Sequence, residues 1–446
     1  MLFSRRQIIK ALAATLGCST IRVASAASGA APAIPIDVLV VGCGVLGMCA
    51  VRELASAGYQ VLGVERGTIG GGQTCHSHVY IHRGHIYETA PLIERLSDSD
   101  ALWRPLIESG RIEIESRRSF FGFADAPAMQ RRLEIWRKMK LPFSEATVPA
   151  TLAHGVVKVG VWTPEATLNG GSLMRYLSRG LEARLTKVSG IDDIELVDGG
   201  SAGWRISSLS ILTERGKVHV SPKMILFAGG AGNIHLARTV AEAQRDADPR
   251  LGSCQTLRMS HMLIISGSAA SLPRVSGVFP DIGGLFIGVR DEGAQRVWLV
   301  SDDRSPRLRD EFDSGRLDAR WWLPRVIDSL KKLSPQWFRS PNGLRWGTYE
   351  ATKAEPSAKH WADRRDRIED FGLQNAVFAW PTKLTLAPKV ARELKERVSS
   401  RFPSSDRPIP PEFAAIRVQP RVAEELWRQT QLVSWSKFRK RYGLGA

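Results

Sequence analysis

The fold is decided by residues 34–67, which read IPIDVLVVGCGVLGMCAVRELASAGYQVLGVERG. The apolar run Val38–Val41 predicts a buried parallel strand, which is followed by a turn over residues 42–47. A helix is predicted from this turn to about Ala57, and Val61–Val64 predicts a second strand. The stretch therefore has the strand–turn–helix–strand order of a βαβ unit.

The turn carries the spacing GxGxxG, in which each glycine has a steric reason. Gly42 permits the tight turn, Gly44 lets the backbone approach a pyrophosphate, and Gly47 lets the helix pack closely on the strand. The helix N-terminus offers N–H groups and a partial positive charge to phosphates. Glu65, eighteen residues after Gly47, is placed to accept hydrogen bonds from an adenosine ribose. These features predict a dinucleotide site, and the acid disfavours the 2′-phosphate of NADP.

The first 26 residues differ in composition from the rest of the 446-residue chain. Ser4–Lys10 (SRRQIIK) resembles a twin-arginine export signal, and an apolar run and the small-residue site Ala24-Ser25-Ala26 follow it. We therefore predict a signal peptide over residues 1–26, a linker over 27–35 and a periplasmic protein. No later apolar run is long enough to span a bilayer.

The formal charge of the chain is +17, and removal of the four basic residues of the signal would leave +13. This excess suits an anionic membrane face, an acidic partner or an anionic substrate, or it reflects an arginine-rich source. The basic residues are dispersed and form no recognised motif, so nucleic acid is not expected as a partner. The cysteines of the mature chain have no CxxC spacing, and neither a disulfide framework nor a metal site is predicted.

Residues 70–85, GGGQTCHSHVYIHRGH, follow the second-strand acid directly. A glycine-rich turn with a hydroxyl residue here resembles the D-amino-acid-oxidase-type superfamily of FAD oxidoreductases, which includes glycine oxidase, sarcosine oxidase and dimethylglycine dehydrogenase. The resemblance implies that FAD is the cofactor and that this segment wraps its pyrophosphate. Thr74-Cys75-His76 is similar to the Thr-Trp-His run of dimethylglycine dehydrogenase, whose His is covalently joined to the flavin. His76 is therefore expected either to carry an 8α-histidyl flavin or to contact FAD non-covalently.

Three later segments resemble further cofactor elements of this family. Residues 160–173 are similar to the link back to the FAD domain and predict a helix over about Gly171–Leu185. The run Lys223–Gly232 is similar to the strand-and-glycine element, and residues 376–388 to the last FAD-binding turn. The residues assigned to the cofactor are Gly42, Gly44, Val45, Leu46, Gly47, Glu65, Arg66, Thr74, His76, Val188, Gly229, Gly230, Thr382, Lys383, Leu384 and Thr385.

The resemblance departs from the family at the substrate clamp. Tyr349 and Pro381 stand where amino-acid oxidases and glycine oxidase place arginines that bind a substrate carboxylate. Lys383, at a usual glycine position, is expected either near the flavin N1–C2 edge, stabilising the anionic reduced ring, or facing solvent. The remaining pocket candidates are His78, His82, Tyr349 and Lys353.

The predicted fold class is α/β (an α+β composite), with a Rossmann-like FAD-binding domain and an interleaved antiparallel-sheet substrate domain. The FAD-binding domain is assigned to residues 36–85, 155–235 and 345–400. The substrate domain is assigned to 86–154, expected to be mainly helical, and to 236–344. Residues 401–446 lie outside the resemblance and predict a basic amphipathic helix over about 422–442, either docked on the body or touching a membrane.

The resemblance implies oxidation of a small amine or amino-acid-like metabolite by hydride transfer to flavin N5. Electrons would pass to oxygen, a quinone or a cytochrome. Two alternatives stay open: an FAD-dependent hydroxy-acid or polyol dehydrogenase, and a flavin-carrying binding or assembly protein with little turnover.

Overall fold

The computed structural model describes residues 33–150, 152–243, 248–302, 319–339, 341, 343–357 and 366–444. The predicted signal peptide and residues 27–32 of the predicted linker lie outside the described residues.

Groups of strands are separated by helices along this part of the chain. The strands are β1 Ile34–Val41, β2 Val61–Glu65, β3 Tyr80–Ile81, β4 Ile114–Ser116, β5 Ser119–Phe123, β6 Ser144–Ala146, β7 Val159–Thr163, β8 Ala166–Leu168, β9 Leu185–Lys187, β10 Gly190–Asp198, β11 Trp204–Thr213, β12 Gly216–Phe227, β13 Gln255–Ser268, β14 Gly277–Phe279, β15 Leu285–Glu292, β16 Gln295–Ser301, β17 Arg345–Pro356, β18 Arg367–Glu369, β19 Ala376–Trp380 and β20 Val433–Ser434. The α-helices are α1 Val45–Ser56, α2 Ala90–Glu108, α3 Ala126–Lys138, α4 Gly170–Ser178, α5 Asn233–Ala243, α6 Ala319–Leu333, α7 Gln336–Arg339, α8 Ala387–Ser399, α9 Glu412–Ile416, α10 Leu426–Gln429 and α11 Trp435–Tyr442.

The first sheet has the order β10-β11-β12-β1-β2-β9, with β19 on β12 and β18 on β19. β1 pairs in parallel with both β2 and β12, as the quoted stretch predicts for its two strands. The apolar run that begins at Lys223 forms the second half of β12, which pairs in parallel with β1, while the first half of β12 pairs antiparallel with β11.

The second sheet has the order β20-β17-β13-β16-β15-β14-β5-β7-β6, and a small third sheet joins β3, β8 and β4. Parallel pairing in the first sheet and mainly antiparallel pairing in the second confirm the predicted mixed α/β class. Strand β17 differs from its expected place: residues 345–356 pair with β13 along their whole length. They belong to the second sheet rather than to the FAD-binding unit.

Two local predictions need correction. The helix expected over residues 171–185 ends at Ser178, because Gly180 takes a left-handed φ of +76°. Residues 86–154 contain the expected helices, α2 and α3, but β5 and β6 in this stretch also join the second sheet, which the helical spacing did not predict.

The C-terminal tail, defined here as residues 401–444, is docked on the body and is not one long helix. Val433–Ser434 interrupts the helical pattern by pairing with the start of β17. The predicted apolar stripe is turned inward: Phe438 is buried, and the Trp435 ring lies 4.6 Å from that of Trp346. The stripe that suggested membrane contact therefore packs against the second sheet. Within the described residues, no helix meets the length and hydropathy needed to cross a membrane.

Candidate active site

The glycine turn forms a backbone cradle at the carboxyl end of β1. Gly42 has φ +98°, and a Cβ on it would lie 2.6 Å from the Gly229 Cα. Helix α1 starts at Val45, and its N-cap residue Gly44 provides no side-chain cap. The closely approaching main chain and the N–H groups of the helix start fit a diphosphate, which is the anion that such a terminus binds.

Glu65 ends β2 beside this cradle. Its Oε2 accepts a hydrogen bond from the Cys43 N–H at 2.8 Å, and its Oε1 accepts one from the Gly67 N–H at 2.8 Å. These bonds fix the carboxylate at the cavity edge, where remaining acceptor sites can take ribose hydroxyls. Thr74 supports the other side, since its Oγ1 accepts from the Val45 N–H at 3.1 Å.

A cavity of 1310 Å³ extends from the cradle to the second sheet. Most of the residues assigned to the cofactor line it. They are Gly42, Gly44, Val45, Leu46, Glu65, Arg66, Thr74, His76, Val188, Gly229, Gly230, Thr382, Lys383 and Leu384.

Gly47 and Thr385 support the lining from behind. A Cβ on Gly47 would lie 1.8 Å from the Gly42 carbonyl oxygen, so this glycine lets α1 pack on the turn, as its spacing predicts. The Thr385 Oγ1 accepts from the His82 N–H, and its carbonyl accepts from Ser99 and Trp103. Thr385 thus holds the wall of the cavity together instead of facing the cavity.

Among the weaker candidates, His78, His82 and Lys353 line the cavity and Tyr349 does not. The Tyr349 ring packs in an apolar cluster with Met262 and Trp427, because β17 turns it toward the tail. Its position in the sequence therefore does not make it a clamp residue in the structure.

Two of the histidines that line the cavity, His78 and His82, are uncharged at neutral pH. Burial lowers the pKa of His82 to about 4, and it lowers that of His78 to about 3 with help from the charges of Lys353 and Arg290. The His82 ring lies between Tyr80, at 5.7 Å between ring centroids, and Tyr87, at 5.8 Å. These three rings form the aromatic wall of the cavity.

A buried network missed by sequence reasoning holds the aromatic wall. The Tyr80 hydroxyl donates to Glu165 Oε2 at 2.5 Å, and His85 Nδ1 lies 2.6 Å from Glu165 Oε1. The other ring nitrogen of His85 faces the Pro142 carbonyl at 3.0 Å, so both nitrogens meet acceptors. Burial would raise the pKa of Glu165, but His85, His82 and the Tyr80 hydroxyl hold it down at about 2.

A second missed group is a cluster of charged side chains from the second sheet. Arg258 on β13 pairs with Glu355 at 2.9 Å, and Lys383 Nζ lies 4.0 Å from the same carboxylate oxygen. Arg258 faces Lys353 in the β13–β17 register, and both line the cavity. No sequence signal distinguished Arg258, because it lies in no motif. Within the described residues, no group of three or more His, Cys, Asp or Glu side chains could hold a metal ion.

Comparison with known proteins agrees with this geometry. The family model DAO, described as FAD dependent oxidoreductase, matches residues 37–348. The chain is 26% identical over 429 residues to a protein described as "Probable FAD-dependent oxidoreductase PA4991" from Pseudomonas aeruginosa, covering 89% of this chain and 98% of that one. The crystal structure of that relative has a TM-score of 0.65 at 20% identity, covering 90% of this chain and 99% of that one.

Two other solved structures show the same fold. Glycine oxidase from Geobacillus kaustophilus has a TM-score of 0.58 at 16% identity, covering 83% of this chain and 96% of its own. L-amino acid deaminase from Proteus vulgaris has a TM-score of 0.59 at 14% identity, covering 86% and 97%. Because the family model matches more than half of its length, the chain belongs to the DAO family of FAD-dependent oxidoreductases.

Proposed function

We propose that this enzyme oxidises a small amine or amino-acid-like metabolite, with hydride leaving a C–H bond next to nitrogen. The observation that carries the proposal is that one cavity is lined both by the glycine cradle and by side chains of the second sheet. A substrate under that sheet would therefore share a compartment with the flavin, which supplies the hydride acceptor N5 when bound. The names of the glycine oxidase and the L-amino acid deaminase that share the fold support this substrate class.

The aromatic wall suits this reaction electrostatically. Loss of hydride from an amine leaves a positively charged iminium, which neutral imidazoles do not repel and aromatic faces attract. His82, uncharged above its pKa of about 4, lies between Tyr80 and Tyr87 in this wall. The Glu165 network fixes the wall in advance, so that little reorganisation is needed as charge develops.

The substrate class is tested by anaerobic titration of the purified enzyme while its visible flavin absorbance is recorded. Primary and secondary amines, with and without a carboxylate, are compared with hydroxy acids and polyols. Bleaching by amines alone is the expected result. Bleaching by alcohols alone would favour the hydroxy-acid or polyol dehydrogenase, and no bleaching of fully loaded protein would favour a binding or assembly role.

The proposal includes a contact between His76 and the flavin. His76 lines the cavity and is partly buried. His76 either forms an 8α-histidyl covalent bond with the flavin or contacts the flavin non-covalently from the cavity wall. Acid precipitation separates them: the covalent form keeps its yellow colour in the pellet, and His76→Ala releases that colour into the supernatant.

Export and electron transfer complete the proposal. The twin-arginine pattern supports a periplasmic location. We propose that the enzyme there passes its electrons to oxygen, a quinone or a cytochrome. Replacing Arg5 and Arg6 with lysine in the full chain should leave the protein unprocessed in the cytoplasm. Re-oxidation of substrate-reduced enzyme by each acceptor in turn, measured by stopped flow, identifies the acceptor.

A further inference from the structure

We infer that Glu425 of the C-terminal tail is a positioning residue for the cofactor: through Arg290 it fixes the segment that lines one side of the FAD cavity. This segment, residues 69–78, is called the cofactor loop here, and its members Thr74, His76 and His78 line the cavity. The inference depends on FAD binding and not on the identity of the substrate.

The tail first joins the cofactor loop through the main chain. The Ile69 N–H donates to the Arg421 carbonyl at 2.8 Å, and the Ala423 N–H donates to the Ile69 carbonyl at 2.9 Å. These reciprocal bonds anchor the start of the loop. The tail therefore forms part of the support of the cavity, although it lies beyond residues 37–348, which the family model matches.

The Glu425 side chain then enters the interior two residues later. It is 2% exposed. Its Oε1 accepts from Arg290 Nε at 3.0 Å and from the Gly170 N–H at 3.3 Å, and its Oε2 accepts from Trp427 Nε1 at 2.9 Å. A buried carboxylate is held stably only when such donors satisfy it, so the tail is locked at this residue.

Arg290 connects Glu425 to the cofactor loop. Its Nη2 donates to the His78 carbonyl at 3.0 Å, while the same guanidinium holds Glu425. Arg290 is 1% exposed, and its other carboxylate, Glu115, lies 3.9 Å away. Removal of the Glu425 charge therefore leaves a buried guanidinium poorly compensated, and the loop carbonyl loses a fixed donor.

The test uses Glu425→Gln in the full chain, with the exposed neighbour Glu424→Gln as the matched control. FAD affinity is measured by titrating apoprotein, and unfolding is followed by far-UV circular dichroism. We expect FAD to bind about tenfold more weakly in Glu425→Gln or worse, and normally in the control. If the flavin is covalent, its visible circular dichroism replaces the titration, and a changed band is expected. Normal FAD binding in Glu425→Gln would overturn the inference.

A double variant separates positioning from stability. Arg290→Met with Glu425→Leu removes the ion pair at similar volume, so the thermal midpoint should recover part of the loss seen in Glu425→Gln, although the Gly170 N–H, Trp427 Nε1 and Glu115 each lose a partner. FAD binding should stay weak, since the His78 carbonyl still lacks its donor. Recovery of both stability and FAD affinity would show that the ion pair serves the fold alone. The double variant also gives this answer if Glu425→Gln fails to fold.

Discussion

The two ends of the cavity are built from different parts of the chain. At the cradle, main chain approaches main chain: Gly42 lies against Gly229, and the start of α1 presents N–H groups. At the other end, the lining is held by buried side chains: Glu165 with His85 beside the small third sheet, and Arg258 with Glu355 on the second sheet. The close-packed cradle is disrupted when a larger side chain is introduced, whereas the buried ion pairs are disrupted when one member of the pair is removed.

The largest effect on FAD binding should come from adding one methyl group to the cradle. In Gly42→Ala the Cβ would lie 2.6 to 2.9 Å from backbone atoms of residues 228 and 229, which cannot rotate away. The left-handed φ adds about 1–3 kcal/mol of strain. We expect FAD affinity to fall by at least about tenfold, measured as flavin per protein and by titration.

Gly252→Ala is the control, because no atom lies within 4 Å of its added Cβ. If Gly42→Ala retained normal flavin content, the turn would be more deformable than its packing indicates.

The largest effect on the free energy of unfolding should come from the buried network at the other end. Glu165→Gln leaves His85 without its carboxylate, and breaking a buried pair of this kind costs about 3–5 kcal/mol of unfolding free energy. Urea unfolding measures this loss, with the exposed Glu145→Gln as control. A loss below about 1 kcal/mol would mean that the His85 ring is satisfied without the carboxylate.

The same pair predicts a dependence of stability on pH. The folded pKa of Glu165, about 2, lies below the usual value of 4.5. Its contribution of roughly 3 kcal/mol is therefore complete above about pH 4.5 and is lost as the pH falls toward 2. Glu165→Gln should lack this part of the acid dependence. Acid unfolding curves of the wild type and variant that run parallel would contradict the assignment.

The contrast between the two ends explains what the sequence could predict. The cradle depends on residues whose type and spacing are nearly forced by sterics, so Gly42, Gly44, Gly47 and Glu65 could be assigned from a short motif. The network around Glu165 joins residues about 80 apart, and its pairing depends on how the small sheet of β3, β8 and β4 folds. No local sequence pattern predicts which residues so far apart in the chain will pair.

Strand β17 shows the same limit within one element. Its motif-like residues predicted a return to the cofactor, and Lys353 does line the cavity. Register with β13, however, places Tyr349 opposite Met262 in an apolar cluster. A one-residue difference in register would move the side chain to the other face, and sequence alone does not fix it.

A smaller effect is expected at Lys383, where cradle and second sheet meet. If its ammonium stabilises the anionic reduced flavin by about 1–3 kcal/mol, Lys383→Met should lower the midpoint potential by about 20–60 mV. Equilibration with a reference dye measures the shift, and Lys389→Met, which removes a surface pair with Asp98, is the control. An unchanged potential would indicate that Lys383 serves Glu355 and not the flavin.

The smallest effect should come from Tyr349, where its assignment as a pocket candidate and the structure give opposite results. Its hydroxyl is buried and has no hydrogen-bond partner among the described residues, so Tyr349→Phe should be neutral or stabilising by up to about 1 kcal/mol. Substrate affinity, measured by anaerobic titration, should not change, because the side chain lies outside the cavity lining. Tyr80→Phe is the matched comparison. It removes the hydroxyl that donates a hydrogen bond to Glu165 and should lower the free energy of unfolding by about 1–3 kcal/mol. A weakened substrate affinity in Tyr349→Phe would instead place the Tyr349 side chain in the substrate pocket, as the sequence predicted.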